Sequence, residues 1–193
     1  NIHNIYINKI IECNQIDDGT KIRTIKGDLV ENITFNIIRE VCKLNNIRET
    51  EYKLYKGKQK PKRCHSKNGY IDVSVDVHLD IGKYSLYIEN KAQVDKCYLD
   101  RSHSDLSKLR KKTSLGIVVA LENDIKQESL NYFLDKKGLD GVFFLVDGKR
   151  SSKNPIWAED NFKSINTEKL KNLIEFIDNF IILAKADRLV HRT

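Results

Sequence analysis

Methionine is absent from all 193 residues, proline occurs twice (Pro61 and Pro155) and tryptophan once. The chain opens on Asn1 and holds no methionine, so the natural start is expected to have been trimmed. So little proline excludes a proline-rich linker, and no internal repeat divides the sequence, which reads as one domain over 1–193. The four cysteines (Cys13, Cys42, Cys64 and Cys97) are scattered without a C-x-x-C pair. That excludes a disulfide framework and fits a reducing, cytoplasmic setting. Together with His65, His78 and His103 they match no familiar zinc-ligand spacing. Also missing are an apolar run of membrane-spanning length and a signal-peptide pattern, so no membrane partner is expected.

Positive charge is what the chain has in excess. Thirty-four Lys and Arg against 27 Asp and Glu give a formal net charge of +7. Nucleic acid is the partner such a balance favours, because neutralising phosphates releases condensed counterions. A hydrophobic content of 40% is enough for one sizeable core.

Apolar residues at helical spacing (Leu29, Ile33, Ile37, Val41 and Leu44) predict a helix from about 28 to 44, with Asp28 as its N-cap. A basic segment without acids, 53–67, is expected to be a loop. The period then changes to two. Ile71, Val73, Val75, Val77 and Leu79 alternate with Asp72, Ser74, Asp76, His78 and Asp80, and after Ile81-Gly82-Lys83 a second alternating run leads to Glu89 and Lys91. This reads as a β-hairpin. Helical spacing returns at 98–112, followed by the buried-strand run 115–121, a short helix at 126–136, a second apolar strand at 141–146 and a closing helix at 167–186. The order predicts an α/β fold, a central mixed sheet flanked by helices.

Strand side chains alternate between faces, so Asp72, Asp76 and His78 share one face of the first strand, and Glu89 and Lys91 share one face of the second. A turn at Gly82-Lys83 sets Asp76 opposite Glu89; a turn at Ile81-Gly82 sets Ser74 there and Asp76 on the diagonal. Either register leaves the two carboxylates roughly 5 to 8 Å apart. Facing carboxylates repel unless a cation lies between them, and Mg²⁺ suits two carboxylates completed by waters and phosphate oxygens. Lys91 then stands where it can orient a water and offset the negative charge of a phosphoryl transition state.

Asp76, a hairpin and Glu89-Asn90-Lys91 resemble the signature of the PD-(D/E)xK, restriction-endonuclease-like nuclease superfamily. The resemblance covers the motif and the order of elements from about 28 to 146. It implies a restriction-endonuclease-like fold, Asp76 and Glu89 as ligands of Mg²⁺, Lys91 as the catalytic lysine, and cleavage leaving 5′-phosphate and 3′-hydroxyl ends. Glu31, in the first long helix, occupies the place where many members carry an additional acidic residue. No proline precedes Asp76, and Asp72 rivals it for the metal. Asn90 stands where an apolar residue is more usual and calls for a hydrogen-bond partner. Size and composition resemble a type II restriction endonuclease, which implies a homodimer on two-fold symmetric double-stranded DNA. In the basic segment, Lys56, Lys58, Lys60 and Lys62 are suited to phosphates and Arg63 to a guanine edge. Three classes compete: a sequence-specific restriction enzyme; a repair enzyme, junction resolvase or DNase toxin domain of the same fold; and a non-catalytic DNA-binding module.

Overall fold

The computed structural model describes residues 19–57, 62–66, 69–73, 75–147 and 164–190. Leu29, Val30, Ile33, Ile37, Ile38 and Val41 share one side of the first helix, α1 (Gly19–Leu44), and all are buried. Helix is already present at Gly19, so the expected start at Asp28 is corrected: Asp28 is an exposed residue inside the helix, not its cap. The physical reason is tertiary. Lys26, on the buried side of α1, is ion-paired to Glu122 at 2.7 Å. The other end closes in a Schellman arrangement: Asn46, at φ 54°, donates its N–H to Lys43 O and Ile47 donates to Cys42 O, each at 3.0 Å.

A short 3₁₀ turn (Glu49–Glu51) leads into β1 (Lys53–Lys56), β2 (Lys62–Ser66), β3 (Gly69–Val73), β4 (Val77–Ile81) and β5 (Tyr84–Val94). After them come α2 (Lys96–Leu109), β6 (Ser114–Asn123), α3 (Gln127–Asp135), β7 (Gly141–Phe144) and α4 (Thr167–Val190). The protein is α/β, with a five-stranded mixed sheet in the order β1-β4-β5-β6-β7. Strands β1, β4 and β5 are antiparallel neighbours, and β5, β6 and β7 are parallel. Helices α2 and α3 make the crossovers that parallel neighbours require. α2 starts at Lys96 because the Asp95 carboxylate accepts the Tyr98 N–H at 2.8 Å.

Helices cover both faces. On one, α1 and α4 pack on Val77, Leu79, Ile81, Leu86, Ile88, Ile117, Val119 and Leu121. On the other, α2 and α3 pack on Tyr87, Val118 and Ala120 through Leu99, Leu106, Leu130 and Phe133. Burial on both faces explains the unbroken apolar run of β6.

Two expectations change. The alternating stretch from Ile71 is not one strand: β3 ends at Val73 and pairs with β2 in a separate two-stranded sheet, whereas β4 begins at Val77. The basic segment is β1 and β2 where it is described, not a loop. Both have one cause, since β2 takes its strand conformation from pairing with β3. Among the described residues, no helix is long and apolar enough to cross a membrane.

Candidate active site

Strand β5 is the sheet's central strand, with β4 on one side and β6 on the other. Its period of two sends Tyr87, Glu89 and Lys91 to the α2–α3 face and Leu86, Ile88 and Asn90 to the α1 face. The β4–β5 ladder pairs Ile81 with Tyr84, which places the turn at Gly82-Lys83, and Gly82 takes the positive φ of 59° that costs glycine little. Val77 pairs with Ile88, so one further step brings Asp76 opposite Glu89.

Asp76 occupies the bend before β4. Its carbonyl accepts the Gly57 N–H at 2.6 Å, closing the end of the β1–β4 ladder. Its carboxylate accepts the backbone N–H of Asn90 at 2.7 Å, so β5 itself aims the oxygen. The Lys91 ammonium lies between the carboxylates, with Nζ 2.5 Å from Glu89 Oε2 and 3.3 Å from Asp76 Oδ2. All three side chains are largely buried, at 9% exposure for Glu89, 16% for Asp76 and 23% for Lys91.

The electrostatics match that geometry. Burial raises the Glu89 carboxyl above its usual range and Asp76 adds to the rise, while Lys91 pulls it down. Burial alone would lower the Lys91 ammonium, but Glu89 and Asp76 outweigh it and the net direction is up. Glu31, half-buried on α1, is raised by burial and by the charge of Asp76, with Lys56 and the Gly57 N–H acting in the opposite sense. Glu31 therefore feels the charge of Asp76 from the α1 side of the sheet. Among the described residues, no group of three or more His, Cys, Asp and Glu side chains is close enough to hold a metal ion. Asp76 and Glu89 are a pair of hard oxygen donors of the kind Mg²⁺ takes when waters and phosphate complete its shell, and the Lys91 ammonium stands between them, where it offsets their charge.

Asp72 lies on β3, opposite Arg63 in the small sheet, and not on the strand that pairs with β5. Lys56 packs against α1, its ammonium donating to Asn32 Oδ1 at 2.5 Å. Lys62 and Arg63 belong to β2, and Lys58 and Lys60 lie outside the described residues. Asn90 is half-satisfied: Thr34, one turn beyond Glu31 on α1, donates to Asn90 Oδ1 at 2.8 Å, while Asn90 Nδ2 is buried without a hydrogen-bond partner among the described residues. Sequence reasoning passed over Thr34 and the Lys26–Glu122 pair. Spacing held the signal, because Lys26 and Thr34 fall on the apolar stripe of α1, where an unpartnered polar group is costly.

His78, a zinc candidate by residue type alone, bonds Asp80 at 3.0 Å and stacks on Tyr55 with ring centroids 4.4 Å apart. His103 lies on α2, against Lys137 O. No protein-family model matches this chain, and no curated protein or solved structure does so significantly.

Proposed function

We propose that this chain is a Mg²⁺-dependent DNA endonuclease of the PD-(D/E)xK, restriction-endonuclease-like group. Within that group it acts as a sequence-specific type II restriction enzyme, a homodimer on double-stranded DNA that leaves 5′-phosphate and 3′-hydroxyl ends. One observation carries the reading: a lysine ammonium held between two largely buried carboxylates, Asp76 and Glu89, on adjacent antiparallel strands. An arbitrary polar hairpin face has no reason to bury such a set, since desolvating charges is unfavourable unless they are used or tightly paired. The helices on both faces of a mixed sheet agree with that group's architecture.

Asp76 and Glu89 would hold the ion, with Glu31 close by on α1. The chemistry such an ion would supply there is polarisation of the scissile phosphate and a lowered pKa for a bound water. The chain's own groups do the rest. The Asn90 N–H keeps the Asp76 carboxylate aimed inward. Lys91, on the same face as Glu89, orients the attacking water and offsets the charge that builds on the phosphoryl oxygens. A homodimer presents two such centres, one for each strand of a two-fold symmetric site.

The test is digestion of plasmid and phage DNA with Mg²⁺ or with EDTA. Discrete Mg²⁺-dependent bands are expected. A smear or structure-dependent nicking would move the protein to a repair enzyme, resolvase or DNase domain of the same group. Lys91→Ala is expected to abolish cleavage while DNA binding persists. Undiminished cutting by that variant would sink the mechanism.

A further inference from the structure

The face that carries Glu89 and Lys91 also forms a cleft of about 580 Å³ at the opposite, turn end of β4 and β5. Three elements bring basic side chains to its walls: Lys53 from β1, Lys83 from the Gly82-Lys83 turn, and Lys108, Arg110 and Lys111 from the end of α2. Against these stand Glu51 and Asp80, and Asp80 already accepts from Ser85 Oγ at 2.7 Å and bonds the His78 ring. Lys83, Lys108 and Arg110 reach out of the cleft to Asp187, Asp105 and Asp140. Lys53 and Lys111 are exposed and make no ion pair among the described residues.

Helix-terminal electrostatics account for part of this cluster, because cations at the C-terminal end of α2 offset its dipole. Lys53 comes from the sheet and gains nothing from that dipole, and Lys83 is already paired with Asp187. Lys53 and Lys111, brought to one cleft by separate elements and not paired with a protein carboxylate among the described residues, point to an anion outside the protein. Ser85, in the cleft, lies four residues before Glu89 on the same strand and the same face, roughly 13 Å away at the usual strand rise. That span equals about four base-pair steps of a duplex at 3.4 Å each. The half-exposed ring of Tyr55, stacked on His78, lies on the strands between the two ends.

We propose that this basic cleft is a second anchor for the phosphodiester backbone of a DNA duplex, about four base-pair steps from the bond cut at the Asp76–Glu89–Lys91 centre. The distance rests on the nuclease reading; the binding itself does not. Lys53 and Lys111 engage phosphates, which fixes the position of the duplex without reading its sequence.

The experiment measures binding of a fluorescein-labelled duplex of two to three helical turns by anisotropy, in EDTA, from about 50 to 200 mM salt. Lys53→Gln/Lys111→Gln is compared with the parent chain, with circular dichroism and thermal melting checking that the fold is intact. Loss of two phosphate contacts is expected to flatten the slope of log K against log salt by about 1.8 and to weaken binding roughly sixtyfold at 0.1 M salt. Shortening the duplex past the cleft is expected to produce the same loss in the parent and no further loss in the variant. An unchanged slope overturns the assignment, even if the parent cleaves DNA. A flattened slope in a protein that never cleaves DNA upholds the cleft and sinks the nuclease reading instead. A parent chain that does not bind the duplex overturns both.

Discussion

Replacing Lys91 by methionine keeps the aliphatic stem and removes the charge that separates Glu89 from Asp76. The two carboxylates, 9% and 16% exposed, are then left facing one another. Losing one partner of a buried ion pair typically costs about 3 to 5 kcal/mol. Here protonation sets a lower ceiling. Keeping one carboxyl neutral at about pH 7, two and a half units above the ordinary value of 4.5, costs about 3.4 kcal/mol. Glu89 is already raised in the parent chain, so part of that penalty is present before the substitution. The expected loss is therefore about 2 to 3 kcal/mol near pH 7, or a fall in Tm on the order of 4 to 12 °C for a chain of this size. Near pH 5 the same ceiling drops to about 0.7 kcal/mol, and most of the difference should vanish. Urea denaturation followed by far-UV circular dichroism in EDTA, at both pH values, measures it. A variant as stable as the parent near pH 7, or a loss of equal size at both pH values, would refute the charge cluster.

Register sets Asp76, not Asp72, opposite Glu89: on the proposed function, Asp76→Asn is expected to lower DNA cleavage at least about a hundredfold and Asp72→Asn less than about tenfold, on the scale of removing a group that acts on the transition state. The reverse order in a plasmid assay refutes the choice. Glu89 and Glu31 both titrate above the ordinary carboxyl value, so the folded chain holds their protons more tightly than the unfolded chain does. In EDTA, stability should fall as pH rises from about 4.5 through those raised values, and Mg²⁺ should replace the protons. The stability gained from Mg²⁺, followed by Tm, is then near zero at the acid end and widens toward neutrality, to about 1.4 kcal/mol when the ion is at ten times its Kd. A gain that ignores pH contradicts this linkage. Lys26→Met, which strands the buried Glu122 carboxyl under the same protonation ceiling, should destabilise by about 3 kcal/mol near pH 7, while Lys26→Met/Glu122→Leu should recover to within about 1 kcal/mol of the parent. Denaturant melts of the single and double variants decide it, and a double variant as unstable as the single one counts against the pairing.

Face was legible from the sequence alone. A period of two placed Glu89 and Lys91 together on one side of β5 and turned Asn90 to the other, whatever the strand pairs with. Unbroken apolar runs marked β6 and β7, and the helical stripes of α1 and α4 marked the layer against the other face. Partnership was not legible. Asp72 and Asp76 have the same parity in one alternating stretch, and only tertiary pairing separates them: β3 joins β2, while β4 stays beside β5. The turns of α1 before Asp28 likewise carry a contact that sequence does not show, an ion pair spanning 96 residues between Lys26 and Glu122. Lys56, one of several similar lysines in sequence, was singled out by Asn32 on α1. The physical reason is the same in each case. Side-chain direction follows from local backbone geometry, which neighbouring residues encode, whereas register and ion pairing depend on which distant strand or helix wins the contact. At the site itself, the hairpin's own residues supplied Glu89 and Lys91, and the fold decided which aspartate stands across from them.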